Sequence, residues 1–176
     1  YKRELFANMG DGEILFLALG TGLDLPFFPD GKSITAIDIS QNMINQAAPR
    51  IAKYHGNLKV QQADVHEMPF EDSQFDQIFT SCTFCSVPNP IEGLKRLKRV
   101  LKPGGDLYMF EHTGSQYYPF KIMMNAMTQL THKFGGAMNR ATVENVIAAG
   151  YDLKQVTHVY LDVVKTIHAC PAAGQQ

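Results

Sequence analysis

The sequence predicts an α/β protein built on a doubly wound, mostly parallel sheet that closes with an antiparallel hairpin. Short β-rich runs alternate with helical stretches and tight turns along most of the 176 residues, as in parallel strands joined by crossover helices. The first run, ILFLAL, is apolar throughout, as a strand covered on both faces must be. Near the C-terminus two further runs stand about one residue apart. That gap is too short for a crossover, so they pair as a hairpin.

Taken in order, strands are expected over residues 13–19, 33–39, 57–62, 75–80 and 106–111, each a β-rich run bounded by turn residues. Helical spacing occupies residues 41–54 and 90–101. In the second, Ile91, Leu94, Leu97 and Leu101 recur three or four apart, with Lys95, Arg96, Lys98, Arg99 and Lys102 elsewhere on the surface. Pro103-Gly104-Gly105 reads as a turn. A helix over 142–149 stops at Gly150, and the hairpin follows over 153–160 and 162–169. Residues 117–134 are rich in methionine and aromatic side chains, which suit sheet covering and also the lining of an apolar pocket.

Composition narrows the function. At 45% apolar residues the chain can bury one substantial core, and no linker divides it, so residues 1–176 form a single domain. With 16 Lys+Arg against 17 Asp+Glu it lacks the basic excess that nucleic-acid binding demands. No apolar run approaches the roughly 20 residues of a membrane span, and the small, odd cysteine count fits a reducing compartment, so a cytoplasmic location is expected. The basic face at 95–102 is read as solvated, with peripheral contact with an anionic membrane as its other use. Three cysteines, Cys82, Cys85 and Cys170, make no disulfide framework, and one CxxC without a second ligand pair makes no zinc site. No metal is expected. The chain opens on Tyr1 rather than Met, so an N-terminal part is expected to be missing.

The turn Gly20-Thr21-Gly22 lies where open α/β sheets bind ligands, beyond the carboxyl end of the first strand. Asp38 ends the second strand 16 positions after Gly22, where a carboxylate accepts hydrogen bonds from both hydroxyls of a ribose. The dinucleotide fingerprint fails, because Leu23 and Leu25 stand where its third glycine would fall. No Lys or Arg lies in the turn, and Asp24 repels an anion there. A ribose-bearing ligand without phosphate fits better, and a nicotinamide dehydrogenase is disfavoured.

The succession ILFLALGTG, AIDIS, QADVHEMPF, FDQIFTSCTFCSV and LKRLKRVLKPGGDLYMFEH resembles the class I S-adenosylmethionine-dependent methyltransferases. The likeness runs from about Gly12 to Ala169. FCSVPNP with LKRVLKPGGDLYMFEH is most similar to the branch of small thiol methyltransferases and bacterial phospholipid N-methyltransferases, with quinone C-methyltransferases more distant. It implies a Rossmann-like, seven-stranded sheet whose last strand is reversed. It also implies S-adenosylmethionine as cofactor, with S-adenosylhomocysteine as product. By resemblance Ala18, Gly20 and Gly22 form the turn beneath the methionine part, Asp38 takes the ribose, and Ile39 and Met43 pack on the adenine. Asp64 accepts the adenine amine, the Val65 N–H faces the ring, and the Ser81 carbonyl takes the methionine ammonium. Two positions depart from the family pattern: Phe16 stands for an acid and Ala18 for a glycine, and both changes weaken cofactor binding.

The implied reaction is in-line methyl transfer to a small lipophilic acceptor, whether thiol, amine, phenol, quinone or phospholipid headgroup. The chain mainly aligns nucleophile and methyl. His112, at the end of the fifth strand, is the candidate base because an imidazole titrates near neutrality. Strand alternation is expected to turn Glu111 to the opposite face. Tyr117 and Tyr118 are candidates to orient the acceptor, and Phe84 and Cys85 to wall its pocket. The departures at Phe16 and Ala18 favour the alternative reading, a catalytically degenerate domain serving as a nucleoside-binding or interaction module.

Overall fold

A computed structural model describes residues 1–113, 141–160 and 163–173. Its strands are β1 (Ile14–Leu17), β2 (Ser33–Asp38), β3 (Asn57–Gln62), β4 (Phe75–Ser81), β5 (Leu101–His112), β6 (Tyr151–Tyr160) and β7 (Val164–Pro171). They form one seven-stranded sheet in the order β3-β2-β1-β4-β5-β7-β6. The first five are parallel, while β7 runs antiparallel to both β5 and β6. The doubly wound sheet and its terminal hairpin are therefore as the sequence predicts.

Helices α1 (Lys2–Phe6), α2 (Gln41–Ile51), α3 (Pro90–Val100) and α4 (Thr142–Ala148) flank the sheet. Strand alternation splits the core in two. On one face Leu15, Leu17, Ile78, Leu107 and Met109 pack with Leu94, Leu97 and Val100 of α3 and Val146 of α4. On the other, Ile14, Phe16, Ile34 and Phe79 pack with Leu5 and Phe6 of α1 and with Phe28. Every β1 residue is buried, which is why its sequence shows no alternation. Tyr108 stacks on Phe79 at 4.8 Å and on His168 at 4.3 Å.

The main differences from expectation sit at element ends. Helix α2 stops at Ile51, short of residue 54. β5 begins at Leu101 rather than Asp106, because Pro103-Gly104-Gly105 is accommodated as a register shift against β4 with Gly104 at φ +77°. The basic face is largely committed within the chain. Arg99 donates to the carbonyls of Phe70 and Met68 and to Asp72, Arg96 pairs with Glu92, and Lys102 with Asp76. That leaves the expected membrane contact without support. No helix among the described residues is long and apolar enough to cross a membrane.

Candidate functional site

β1, β2, β3 and β4 end at one edge of the sheet, and the segments that follow them surround a cavity of about 180 Å³. Its floor is Leu17 and Ala18, its two acids are Asp38 and Asp64, and Ile39, Ala63, Val65 and Val87 supply apolar walls. Thr83, Ser86 and Pro88, from the loop between β4 and α3, close the side opposite β2.

The turn after β1 is left-handed at Ala18 (φ 59°), Gly20 (φ 58°) and Gly22 (φ 77°). A side chain added at Gly20 would meet nothing within 4 Å, so the turn presents bare backbone to open space. Ala18 holds this conformation with a Cβ, at a cost of roughly 1–2 kcal/mol. Asp38 locks the turn to β2: its two carboxylate oxygens accept from the N–H of Gly20 at 2.7 Å and of Ser40 at 2.8 Å. A carboxylate has about four acceptor sites, so capacity for a ribose remains. Ser40 caps α2 through the Met43 N–H, and Arg50 reaches back from α2 to the Thr21 carbonyl at 3.0 Å.

Beyond the neighbouring strand β3, Asp64 caps a short 3-10 turn, Val65–Glu67. Its Oδ1 accepts from the His66 N–H and faces His66 Nδ1, both at 2.9 Å. The bond from the His66 N–H, chiefly, holds its carboxyl below the usual carboxylate range, so Asp64 is an ionised acceptor at neutral pH. His66 Nε2 in turn faces the Asn89 carbonyl at 3.3 Å, which links Asp64 to the start of α3.

Of the residues expected at the cofactor, Ala18, Asp38, Ile39, Asp64 and Val65 line the cavity, with Gly20 bonded to one of them. Gly22 supports the turn from below, its Cα facing Leu25 and Ala47. Met43 is exposed on α2 and Ser81 is buried at the end of β4; neither lines the cavity. Phe84 is buried in the core and Cys85 is half-buried, so neither walls this pocket. Tyr117 and Tyr118 lie outside the described residues. Among the described residues no cluster of metal-ligating side chains occurs.

Glu111 and His112 point to opposite faces of β5, as expected. Glu111 continues the row Leu107, Met109 at two-residue intervals and is fully buried, whereas His112 is exposed and does not line the cavity. Glu111 was missed by sequence reasoning, although the alternation from Leu107 already points it toward α3. Its carboxylate accepts from the Thr80 hydroxyl at 2.8 Å, from the Thr83 N–H at 2.9 and 3.1 Å, and from the Phe84 N–H at 3.1 Å. Burial pushes its pKa up to about 7, against the pull of those donors. Glu111 thus clamps the tight turn after β4, where Cys82 is left-handed (φ 53°), and sets the position of Thr83 in the cavity wall.

Phe16 is fully buried and packs against Phe28 and Phe6, with ring centroids 4.8 and 5.9 Å away. It belongs to the core and does not obstruct the cavity.

Comparison with known proteins agrees with this geometry. A sequence family described as "Methyltransferase domain" matches residues 15–109. The ubiquinone/menaquinone biosynthesis C-methyltransferase UbiE of Geotalea daltonii is 35% identical over 117 residues, 63% of this chain and 50% of that protein. The human thiol S-methyltransferase TMT1B is 28% identical over 77% of this chain and 59% of its own length. The chain thus spans about half to three fifths of these relatives. A SAM-dependent methyltransferase from Aquifex aeolicus superposes with a TM-score of 0.70 at 21% identity, over 96% of this chain and 88% of that one. With the family match covering more than half the sequence and the fold shared throughout, the chain belongs to the methyltransferase domain family.

Proposed function

We propose that this chain binds S-adenosylmethionine in the cavity between Asp38 and Asp64 and transfers its methyl group to a small lipophilic acceptor. The observation that carries the reading is the pair of acids from the ends of neighbouring strands lining one mostly apolar cavity, with bare glycine backbone beside it. A neutral purine needs apolar walls and an edge acceptor, and a ribose needs a carboxylate. The residues present fit both parts.

When bound, the cofactor supplies an electrophilic methyl on a sulfonium. The protein's part is alignment, which is worth roughly 7–11 kcal/mol when geometry approaches that of attack. Asp38 holds the sugar while fixing the turn through the Gly20 N–H. Asp64, oriented by His66, holds the purine edge, and Ile39 and Val65 cover its faces. Glu111 keeps the loop after β4 folded over the cavity. The lipophilic acceptor is supported by the methionine- and aromatic-rich stretch 117–134 and by relatives named for quinone and thiol methylation.

Titration calorimetry with S-adenosylhomocysteine tests the cofactor. A methyl-transfer panel of an alkyl thiol, a reduced quinone and a phosphatidylethanolamine micelle, against a sugar and a polar diamine, tests the acceptor. Binding with faster turnover of a lipophilic acceptor is expected. No heat of binding, or preference for the polar acceptors, would overturn the corresponding half of the reading.

A further inference from the structure

The adenosine end of the cavity is well provided with polar partners, but its walls hold no Lys or Arg for the carboxylate of a charged amino acid. Three groups on the α1 face of the sheet, beyond the glycine turn, do suit one. Lys2 of α1 pairs with Asp24 at 2.7 Å, and the pair is only partly solvated, with side chains 30% and 14% exposed. The Lys2 ammonium also lies 5.2 Å over the ring of Phe110. Phe110 is the register partner of Ser81 on the neighbouring parallel strand, so the two side chains share one face. The Ser81 hydroxyl is buried and has no hydrogen-bond partner among the described residues. Such a hydroxyl is costly unless something else completes it.

The position of these groups follows the sheet. Along the carboxyl edge the order is Asp64 after β3, Asp38 on β2, the glycine turn after β1, then Ser81 on β4 and Phe110 on β5. A ligand whose purine and sugar occupy the first two stations runs toward the last two. Phe16, register partner of Phe79, lies two residues before Ser81 in register and on the same face. An acid there would supply negative charge to this corner, and Phe16 supplies none. Asp24, two residues beyond Gly22, supplies it instead.

We propose that Lys2, Asp24 and Ser81 seat the amino-acid end of the cofactor, with Lys2 taking the α-carboxylate and Asp24 with the Ser81 hydroxyl taking the α-ammonium. The inference rests on the cofactor reading above. A zwitterion meets an ion pair of opposite sense, so each charge gains a partner without breaking the pair. Only one bond of Lys2 and one oxygen of Asp24 are used between them, and an ammonium has three N–H groups while a carboxylate has two oxygens.

The test compares S-adenosylhomocysteine with 5′-methylthioadenosine, which keeps the adenosine and thioether but lacks the amino acid. Titration calorimetry is run on the wild type, Lys2→Met, Asp24→Asn, Ser81→Ala and the Lys2→Met/Asp24→Asn double variant, with thermal melts alongside. Each of the two charge variants is expected to weaken S-adenosylhomocysteine by roughly tenfold to a hundredfold, as for a lost charge-assisted bond, with methylthioadenosine within twofold. Ser81→Ala weakens the same ligand less. The double variant is expected to recover the melting temperature, since no charge is left unpaired, but not the affinity. Equal weakening of both ligands, no weakening of either, or recovery of affinity in the double variant overturns the proposal. A wild type that binds methylthioadenosine as tightly as S-adenosylhomocysteine overturns it while sparing the cofactor reading, and a wild type that binds neither ends both.

Discussion

Raising the pH should weaken the fold through one residue, Glu111. Its carboxyl is fully buried, which favours the neutral form, while the Thr80 hydroxyl and the N–H groups of Thr83 and Phe84 favour the ionised one. Burial wins, and the folded-state value rises from 4.5 to about 7. The native state therefore binds this proton more tightly than the unfolded chain. The stabilisation is fully present below pH 4.5 and is lost as pH rises through about 7. At about 1.4 kcal/mol per pH unit, that interval corresponds to about 3 kcal/mol. Urea denaturation of the wild type and Glu111→Gln, from pH 4.5 to 8.5, isolates the effect. Asp64, Asp76 and Asp106 have lowered values and act in the opposite sense, but they titrate alike in both proteins and cancel in the difference. The wild type should lose about 3 kcal/mol relative to the variant across the range. A flat difference would refute the reasoning. A difference that grows in favour of the wild type with pH would show that the three donors, not burial, set the proton affinity.

Ala18→Gly removes the left-handed strain, about 1–2 kcal/mol, and adds unfolded-state entropy worth about 0.4–1 kcal/mol. It should therefore raise stability by up to about 1.6 kcal/mol in the same urea assay, without weakening S-adenosylhomocysteine. Asp38→Ala should lower affinity for that ligand at least tenfold and also cost about 1–3 kcal/mol of stability. The second effect, read in thermal melts, arises because the Gly20 and Ser40 N–H groups lose their acceptor. Tyr151→Phe deletes a buried hydroxyl that donates to the Leu94 carbonyl at 3.1 Å. It should destabilise by about 1 kcal/mol in denaturant titrations while leaving ligand affinity unchanged.

The elements most legible in the sequence were those whose neighbours in space are also near in the chain. β1 announced itself by apolar continuity, and Asp38 by its place after a β-rich run beyond two glycines. The loop after β4 was not legible, because its shape depends on a carboxylate 27 to 31 residues away. Nothing local to Thr83 says that its N–H is taken by Glu111. His112 was singled out by residue type, whereas the parity of Leu107 and Met109 already marks its neighbour Glu111 as the buried carboxyl on the α3 face. The packing of Phe16 was not legible either, because its partners, Phe6 and Phe28, come from separate stretches of chain. Ala18 was noticed as a departure, but its left-handed backbone could be learned only from coordinates.

The hairpin has a consequence for biosynthesis. β7 is made after β6 yet sits inside the sheet, between β5 and β6. Until Val164–Pro171 emerge from the ribosome, β5 has one open side and β6 has no strand to lie against. A nascent chain at that stage exposes a raw ladder edge of the kind that recruits other chains. β7 is thus the keystone of this sheet's assembly, and nonsense mutations just before it should produce aggregates instead of a shortened but working protein.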